Sequence, residues 1–276
     1  MIDPLYSLSG FAVGLLVGMT GIGGGALMTP ILILLFNIHP ATAVGTDLLY
    51  AAATKTGGSL VHGYARSIDW RVVRRLASGS IPATVVTLAV LSHFNLNGDA
   101  ARGLITLVLS VALFATAFLL VFGGPIVAIY RARIGELDAR RTAITTVLVG
   151  ALLGVLVSIS SVGAGAIGVI SLVLLYPHLP VAKIVGSDIA HAVPLTPIAG
   201  LGHWMMGSVD WHIIASLLVG SLPDIFVASY FATRIPARAL QLVLATTLFV
   251  VASRIAYDHA TAAPSNFTAF TRRAVP

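Results

Sequence analysis

Long apolar runs without a charged residue constrain this chain more than any other feature. One run extends from Leu8 to Phe36 and a second from Ala143 to Tyr176, and neither contains Asp, Glu, Lys or Arg. A membrane-spanning helix needs about 20 consecutive apolar residues, so such runs predict a polytopic helical membrane protein. The composition agrees, because charged residues make up only 9% of the chain and the mean hydropathy is +0.97.

The chain also contains an internal repeat. At an offset of 141 residues, the sequence Gly-Thr-Asp that ends at Asp47 recurs as Gly-Ser-Asp ending at Asp188. The glycines at 14, 23 and 25 recur at an offset of 140. We therefore predict an all-α polytopic membrane fold of about eight apolar helical segments in a 4+4 internal repeat. The predicted segments are 5–36, 41–62, 70–92, 100–122, 141–176, 181–205, 210–231 and 237–257.

These segments predict a single membrane domain that covers residues 1–276. Repeat one is about 8–122, a basic connector about 123–141 is expected to be a cytoplasmic loop, and repeat two is about 142–257. A polar tail, 258–276, is expected to be frayed. No second domain is predicted.

The orientation of the repeats depends on their first segments. The positive-inside rule places the arginine-rich loop 66–75 and the connector in the cytoplasm. If the first segment of each repeat crosses the membrane, the repeats are parallel, and if it folds back as two half-helices, they are inverted. The second-half loop 204–212, which corresponds to loop 66–75, has no Lys or Arg. This difference favours inverted repeats.

Glycines interrupt the first apolar segment of each repeat, in "GMTGIGGGALMTP" and "SISSVGAGAIGVIS". Backbone groups freed in lipid need partners, so such breaks persist where protein or a water-filled cavity lines them. A helix that restarts after a break offers N–H groups and a positive dipole end to an anion. A tight helix crossing without a ligand is the alternative. The predicted substrate-binding residues are Thr20, Gly21, Gly23, Gly24, Gly25, Ser160, Ser161, Gly163 and Gly165.

Four ionisable residues inside apolar segments are candidates for charge compensation or proton coupling. They are Asp47, Lys55, Asp188 and His191. Ionisable residues at membrane depth usually have a function, but each aspartate could instead cap a helix near the interface. A structural role for His191 is the alternative to a titrating one. His203, beside Trp204, is expected to be an interface anchor.

The sequence offers little support for other kinds of chemistry. The sequence "GAGAIG" satisfies G-x-G-x-x-G but lacks the strand and soluble βαβ unit of a dinucleotide site. The chain has no cysteine, no HExxH and no G-x-S-x-G, so we predict no enzyme activity, no metal site and no cofactor. The net charge of +6 is explained by basic loops rather than by nucleic acid. An anion channel or a non-transporting receptor remains the alternative to a transporter.

The motifs resemble one known family. "GLLVGMTGIGGGALMTPIL" followed by "HPATAVGTDLL", both echoed after the connector, resemble the sulfite exporter TauE/SafE family over about residues 8–257. The resemblance implies a multi-pass secondary transporter in the plasma (inner) membrane for a small sulfur-containing anion such as sulfite, sulfoacetate or another organosulfonate. A coupling proton or cation is a further expected partner, besides the lipid bilayer. In the second half "SSVGAGAIG" departs from the pattern, so the two half-sites are expected to differ.

Overall fold

The structure, a computed structural model, describes residues 2–20, 25–64, 67–93, 98–134, 138–221 and 237–272. These residues form α-helices, and no β-strand occurs among them. The helices are α1 (Pro4–Thr20), α2 (Gly25–Leu34), α3 (Pro40–Tyr64), α4 (Trp70–Ser92), α5 (Asp99–Ile134), α6 (Ala139–Ser160), α7 (Ala166–Leu175), α8 (Val181–Met205), α9 (Trp211–Ser221) and α10 (Ala237–Arg272).

Several helices have the length and composition of membrane spans. Within the described residues, stretches of α4, α5, α6, α8 and α10 are long and apolar enough to cross a bilayer. The exposed side chains of α5 and α10 include Val111, Phe118, Phe249 and Val250, which suits contact with lipid. The shorter helices α1, α7 and α9 contain apolar stretches too short to span by themselves. The protein is therefore a multi-pass helical membrane protein.

Helices α6 and α7 form a hairpin. Helix α6 ends because Ser161 adopts a left-handed conformation (φ 60°) and donates its N–H to Val157 O. After the break, the Tyr176 hydroxyl lies 2.8 Å from Thr146 Oγ1 in the third turn of α6. The chain thus returns to the end at which it entered, after about 21 Å of helix beyond Thr146.

The first apolar run also returns to its starting end. The ring of Tyr6, near the start of α1, packs on the ring of Phe36 after α2, with 4.3 Å between the centroids. Tyr6 and Phe36 stand 140 residues before Thr146 and Tyr176. Each long apolar run is therefore folded back on itself.

Helices α3 and α8 pack against each other in opposite directions. Gly45 of α3 faces Ser208 just after the end of α8, Leu49 faces Gly200, and Ser67 after α3 faces Gly186 near the start of α8. A Cβ at any of the three glycines would overlap these neighbours. Small residues allow such close approach of membrane helices.

Two other helix pairs approach as closely. Gly10 of α1 lies against the backbone of Leu217 in α9. Gly150 of α6 lies in the same way against the backbone of Leu76 in α4. Gly10 and Gly150 therefore act in helix packing.

Reciprocal hydrogen bonds tie α3 to the start of α9 and α8 to the start of α4. The Asp210 N–H donates to Thr46 Oγ1 (3.0 Å), and the Asp69 N–H donates to Ser187 Oγ (2.8 Å). Asp69 and Asp210 also cap α4 and α9, because their Oδ1 atoms accept N–H groups from the first helical turns. Thr46 and Ser187, which directly precede Asp47 and Asp188, are thus each hydrogen-bonded to the opposite half of the chain.

Two helices extend further than the sequence predicted. Helix α5 continues to Ile134, into the predicted connector loop, and α10 continues to Arg272, into the predicted polar tail. Residues 126–134 lack glycine and include arginine, which is a good helix former, so the helix continues beyond its apolar part. The second half of the predicted segment 210–231 lies outside the described residues.

Candidate functional site

Asp47 lies at the centre of the protein, in the third turn of α3. Its side chain is fully buried, and Thr29 Oγ1 of α2 donates a hydrogen bond of 2.6 Å to its Oδ2. Thr29 is the sole polar side chain of α2. A single hydroxyl in an otherwise apolar helix is a pattern from which the sequence could have identified Thr29. Asp47 does not cap its helix, because α3 begins at Pro40.

The break between α6 and α7 reaches the same carboxylate. The Ser161 side chain faces Asp47, but the two groups do not meet the geometry of a hydrogen bond. Within the part of the chain that the structure describes, Ser161 Oγ and Asp47 Oδ1 have no hydrogen-bond partner. Asp47 is therefore the point at which α2, from the first half, meets the hairpin tip of the second half.

Asp188 occupies the corresponding place in α8 and has different neighbours. It is 3% exposed, and the main-chain N–H of Gly165, at the start of α7, is directed at its carboxylate. Its Oδ1 lies against Gly168, where a Cβ would overlap it, and has no hydrogen-bond partner in the described ranges. Asp188 is eight residues into α8, which begins at Val181, so it does not cap a helix either.

Lys55 lies near the two carboxylates. Its side chain is buried, with 8% exposed, two helical turns after Asp47. Its ammonium lies within electrostatic range of both Asp188 and Asp47, but among the described residues it forms no ion pair within 4 Å with either. With both carboxylates ionised, the three side chains carry one net negative charge. We call Asp47, Lys55 and Asp188 the central triad.

His191 lies beside the central triad. It is fully buried, its Nε2 is 2.8 Å from Ser80 Oγ of α4, and its Nδ1 has no partner. Lys55 interacts with it electrostatically. A buried polar atom without a partner is costly and uncommon. Few buried polar atoms among the described residues lack a partner. Three of them belong to Asp47, Asp188 and His191, and these three residues lie around Lys55.

The prediction for His203 is wrong. Its side chain is fully buried in α8, and its Nε2 lies 2.9 Å from Ser158 O in α6. The exposed aromatic neighbour suggested an interface position. Consecutive helical residues point about 100° apart, so Trp204 is half exposed while His203 is not.

The predicted substrate-binding residues have different surroundings. Ser160 Oγ donates to Leu156 O, so its hydrogen is used inside α6. Gly163 and Gly165 have φ angles of 129° and 128°, which favour glycine. Gly25 begins α2 and Thr20 ends α1, and nothing is described of the Thr20 side chain. Gly21, Gly23 and Gly24 lie outside the described residues.

Among the described residues, no group of three or more His, Asp or Glu side chains could hold a metal ion. The ionisable side chains at the centre are instead one lysine, two carboxylates and one histidine.

A multi-pass helical fold with ionisable side chains between folded-back helices is typical of membrane transporters. The comparisons with known proteins support that class. The chain belongs to the Sulfite exporter TauE/SafE family, whose family model matches residues 6–255.

Curated relatives have names that agree with this class. "Probable membrane transporter protein YjnA" of Bacillus subtilis is 35% identical over 246 residues, which cover 88% of this chain and 95% of the relative. "Probable membrane transporter protein YdhB" of the same species is 25% identical and covers 84% and 91%. A probable membrane transporter protein of Methanocaldococcus jannaschii is 28% identical and covers 76% and 75%. No solved structure matches the chain significantly.

Proposed function

We propose that this protein is a secondary transporter that moves a small sulfur-containing anion, such as sulfite, sulfoacetate or another organosulfonate, by alternating access. The observation that carries the proposal is the convergence of α2 and the α6–α7 hairpin tip on the central triad. The sulfur-containing substrate class rests on the family and its printed description.

The charges of the triad suggest how transport is coupled. With both carboxylates ionised, Asp47, Asp188 and Lys55 leave one net negative charge, which repels an anion at short range. A proton or a cation that binds one carboxylate leaves the other paired with Lys55 and removes that charge. The anion then binds more favourably, so the coupling ion and the substrate bind together.

The breaks would supply the remaining contacts to the anion. Ser161 Oγ has no hydrogen-bond partner among the described residues and offers a hydroxyl donor beside the triad. Main-chain N–H groups of Gly163 and Gly165 and those of residues 20–25 are the other proposed donors, together with Ser160 after rotation of its hydroxyl. The Gly165 N–H is directed at Asp188, so substrate and carboxylate would compete for it.

Three observations support inverted repeats as the basis of alternating access. Helices α3 and α8, which correspond in the sequence repeat, run antiparallel. Each interrupted run returns to its own starting end. The two reciprocal hydrogen bonds, from Asp210 to Thr46 and from Asp69 to Ser187, relate the halves as a twofold axis in the membrane plane would. Such symmetry gives inward-open and outward-open states of similar energy.

Uptake of radiolabelled sulfite into proteoliposomes with a defined pH gradient tests the proposal. Sulfoacetate and sulfate serve as competitors, and wild type is compared with Asp47→Asn and Asp188→Asn. We expect saturable, gradient-dependent uptake in wild type and a fall of about tenfold or more in each variant, equivalent to about 1.4 kcal/mol. Asp258→Asn is the matched control, because Asp258 is exposed and pairs with Arg254 on the surface of α10.

Each contrary result removes a different part of the proposal. Uptake that rises linearly with sulfite indicates a channel. Saturable uptake that survives both substitutions removes the aspartates from the coupling mechanism. Absence of uptake for every sulfur oxyanion tested removes the substrate class.

A further inference from the structure

A second site candidate lies at the arginine-rich end of the protein, away from the central triad. A cleft of about 320 Å³ opens there between the starts of α4 and α6 and the segment that follows α7. This volume is at the lower end of the range for small-molecule sites. Its polar lining includes Arg71, Arg75, Tyr176 and His178. We call it the arginine cleft.

A chain of hydrogen bonds fixes Arg75 in the cleft. Thr146 Oγ1 donates its single hydrogen to Thr142 O (2.6 Å), so the Tyr176 hydroxyl donates to Thr146 Oγ1 (2.8 Å). The Tyr176 oxygen then accepts from Arg75 Nη1 (3.1 Å). A guanidinium has five N–H donors, and a neutral hydroxyl occupies only one of them. The Arg75 side chain is thus held in place by a neutral partner, and no carboxylate of the described residues pairs with it.

The remaining charges of the lining also favour an anion. Within the described residues, neither Arg71 nor Arg75 forms an ion pair. The one lining carboxylate, Asp69, accepts the N–H groups of Arg71 and Val72 through Oδ1, so part of its charge is offset by the start of α4. The two positive charges of Arg71 and Arg75 exceed the one negative charge of Asp69, so the cleft has a net positive charge. The positive dipole ends of α4 and α6 add to that field.

The corresponding positions at the other end of the protein lack this chemistry. At offsets of 141 and 140 residues, Arg71, Arg75 and Tyr176 correspond to His212, Ser216 and Phe36. Ser216 Oγ accepts the Asp3 N–H there, and Phe36 packs on Tyr6. The Tyr176 hydroxyl and the guanidinium groups of Arg71 and Arg75 therefore have no equivalent at the corresponding positions of the other end.

We propose that the arginine cleft binds a tetrahedral oxyanion group, as a phosphate, sulfate or sulfonate, at a site separate from the transport centre. The group can belong to a free anion or to the headgroup of an anionic phospholipid, because the positive-inside rule places this end at the cytoplasmic membrane surface. Arg75 and Arg71 provide the charged donors, and Tyr176 is a positioning residue that orients Arg75. The proposal goes beyond transport and does not depend on it.

Trp70 offers a local reporter for binding. It is exposed and lies between Asp69 and Arg71, whereas Trp204 and Trp211, the other two tryptophans, pack on each other at the opposite end. In a Trp204→Phe, Trp211→Phe background, the fluorescence of Trp70 is measured in full-length protein in nanodiscs. Inorganic sulfate is titrated into phosphatidylcholine discs, and in a second arm the fraction of phosphatidylglycerol is raised without sulfate.

We expect a saturable change in Trp70 fluorescence in at least one arm. Arg75→Ser combined with Arg71→Ser is expected to weaken the response at least about tenfold, because charge-assisted hydrogen bonds are lost. Tyr176→Phe is expected to weaken it less while keeping both charges. Arg74→Ser is the matched control, since Arg74 is exposed in the same turn but does not line the cleft.

The two arms separate the sources of the ligand. A response to sulfate alone identifies a site for free anions, and a response to phosphatidylglycerol alone identifies a lipid headgroup site. A response in neither arm, or an equal loss in Arg74→Ser, overturns the proposal. Sulfite uptake measured on the same variants is a separate readout, so failure of the cleft and failure of transport are distinguishable.

Discussion

Asp47 and Asp188 occupy corresponding positions in α3 and α8, but the protein holds them in different ways. Asp47 accepts a hydrogen bond from a side-chain hydroxyl, that of Thr29, and has the Ser161 hydroxyl nearby. Asp188 is faced by a main-chain N–H and by the bare backbone of Gly168. Among the described residues it accepts no side-chain hydrogen bond, so its charge depends more on the nearby Lys55.

Two aspartates at corresponding sequence positions therefore have unequal surroundings. A hydroxyl on a side chain can rotate away from its acceptor, whereas a main-chain N–H in a helix start cannot move by itself. Asp188 is therefore the carboxylate in the more fixed surroundings, and Asp47 is the carboxylate with the freer surroundings. Three substitutions test that distinction.

The largest effect is expected from Lys55→Met, which leaves two buried carboxylates without a cation. Removal of one partner of a buried pair costs about 3–5 kcal/mol in the free energy of unfolding. The measurement is thermal inactivation in detergent, with Lys183→Met as the control because Lys183, the other lysine of the chain, is exposed.

A second substitution, added to Lys55→Met, then ranks the two carboxylates. Asp188→Asn should restore more stability to Lys55→Met than Asp47→Asn does, and equal restoration would contradict the difference.

Gly168→Ala is expected to have an intermediate effect, confined to the Asp188 side. The new Cβ would overlap Asp188 Oδ1, and such overpacking typically costs about 1–3 kcal/mol. Gly124→Ala in α5 is the matched control, since nothing lies within 4 Å of the position of its Cβ. Thermal inactivation of both variants measures the effect. If Gly168→Ala is as stable as Gly124→Ala, Asp188 is free to move, and its description as fixed is wrong.

Thr29→Val is expected to have the smallest effect of the three. It removes the hydroxyl donor from Asp47 and keeps the shape of the side chain. Hydrogen bonds between membrane helices contribute about 0.6 kcal/mol on average and about 1.7 kcal/mol at most. The control is Thr247→Val, because the exposed Thr247 bonds only to Val243 O of its own helix. A loss of stability greater than that of Gly168→Ala would reverse the order of the two carboxylates.

The sequence predicted the membrane class and the ionisable residues of the centre, because both depend on local patterns. Charge is rare in this chain, so Asp47, Lys55 and Asp188 stand out in apolar segments without any knowledge of the fold. The partners of these residues could not be predicted in the same way. Thr29, Ser80 and Gly168 reach the centre only through contacts between helices, and a repeat offset does not specify which helices touch.

The case of His203 shows a second limit of local patterns. Its neighbour Trp204 is a good indicator of the membrane interface, but adjacent residues of a helix point in different directions. Contact of His203 with Ser158 O depends on where α6 lies against α8. That placement is a property of the packed protein, not of either segment.

The hydrogen bonds made by Thr46 and Ser187 have a mechanical consequence. A motion that separates α8 from the start of α4 has to break the bond between Ser187 and the Asp69 N–H, at a cost of about 1 kcal/mol. A motion in which they travel together avoids that cost. We therefore expect Asp188 and the start of α4 to move as one body, and Asp47 and the start of α9 as another. An occupant of the arginine cleft would bind to the first of these two bodies and move with it.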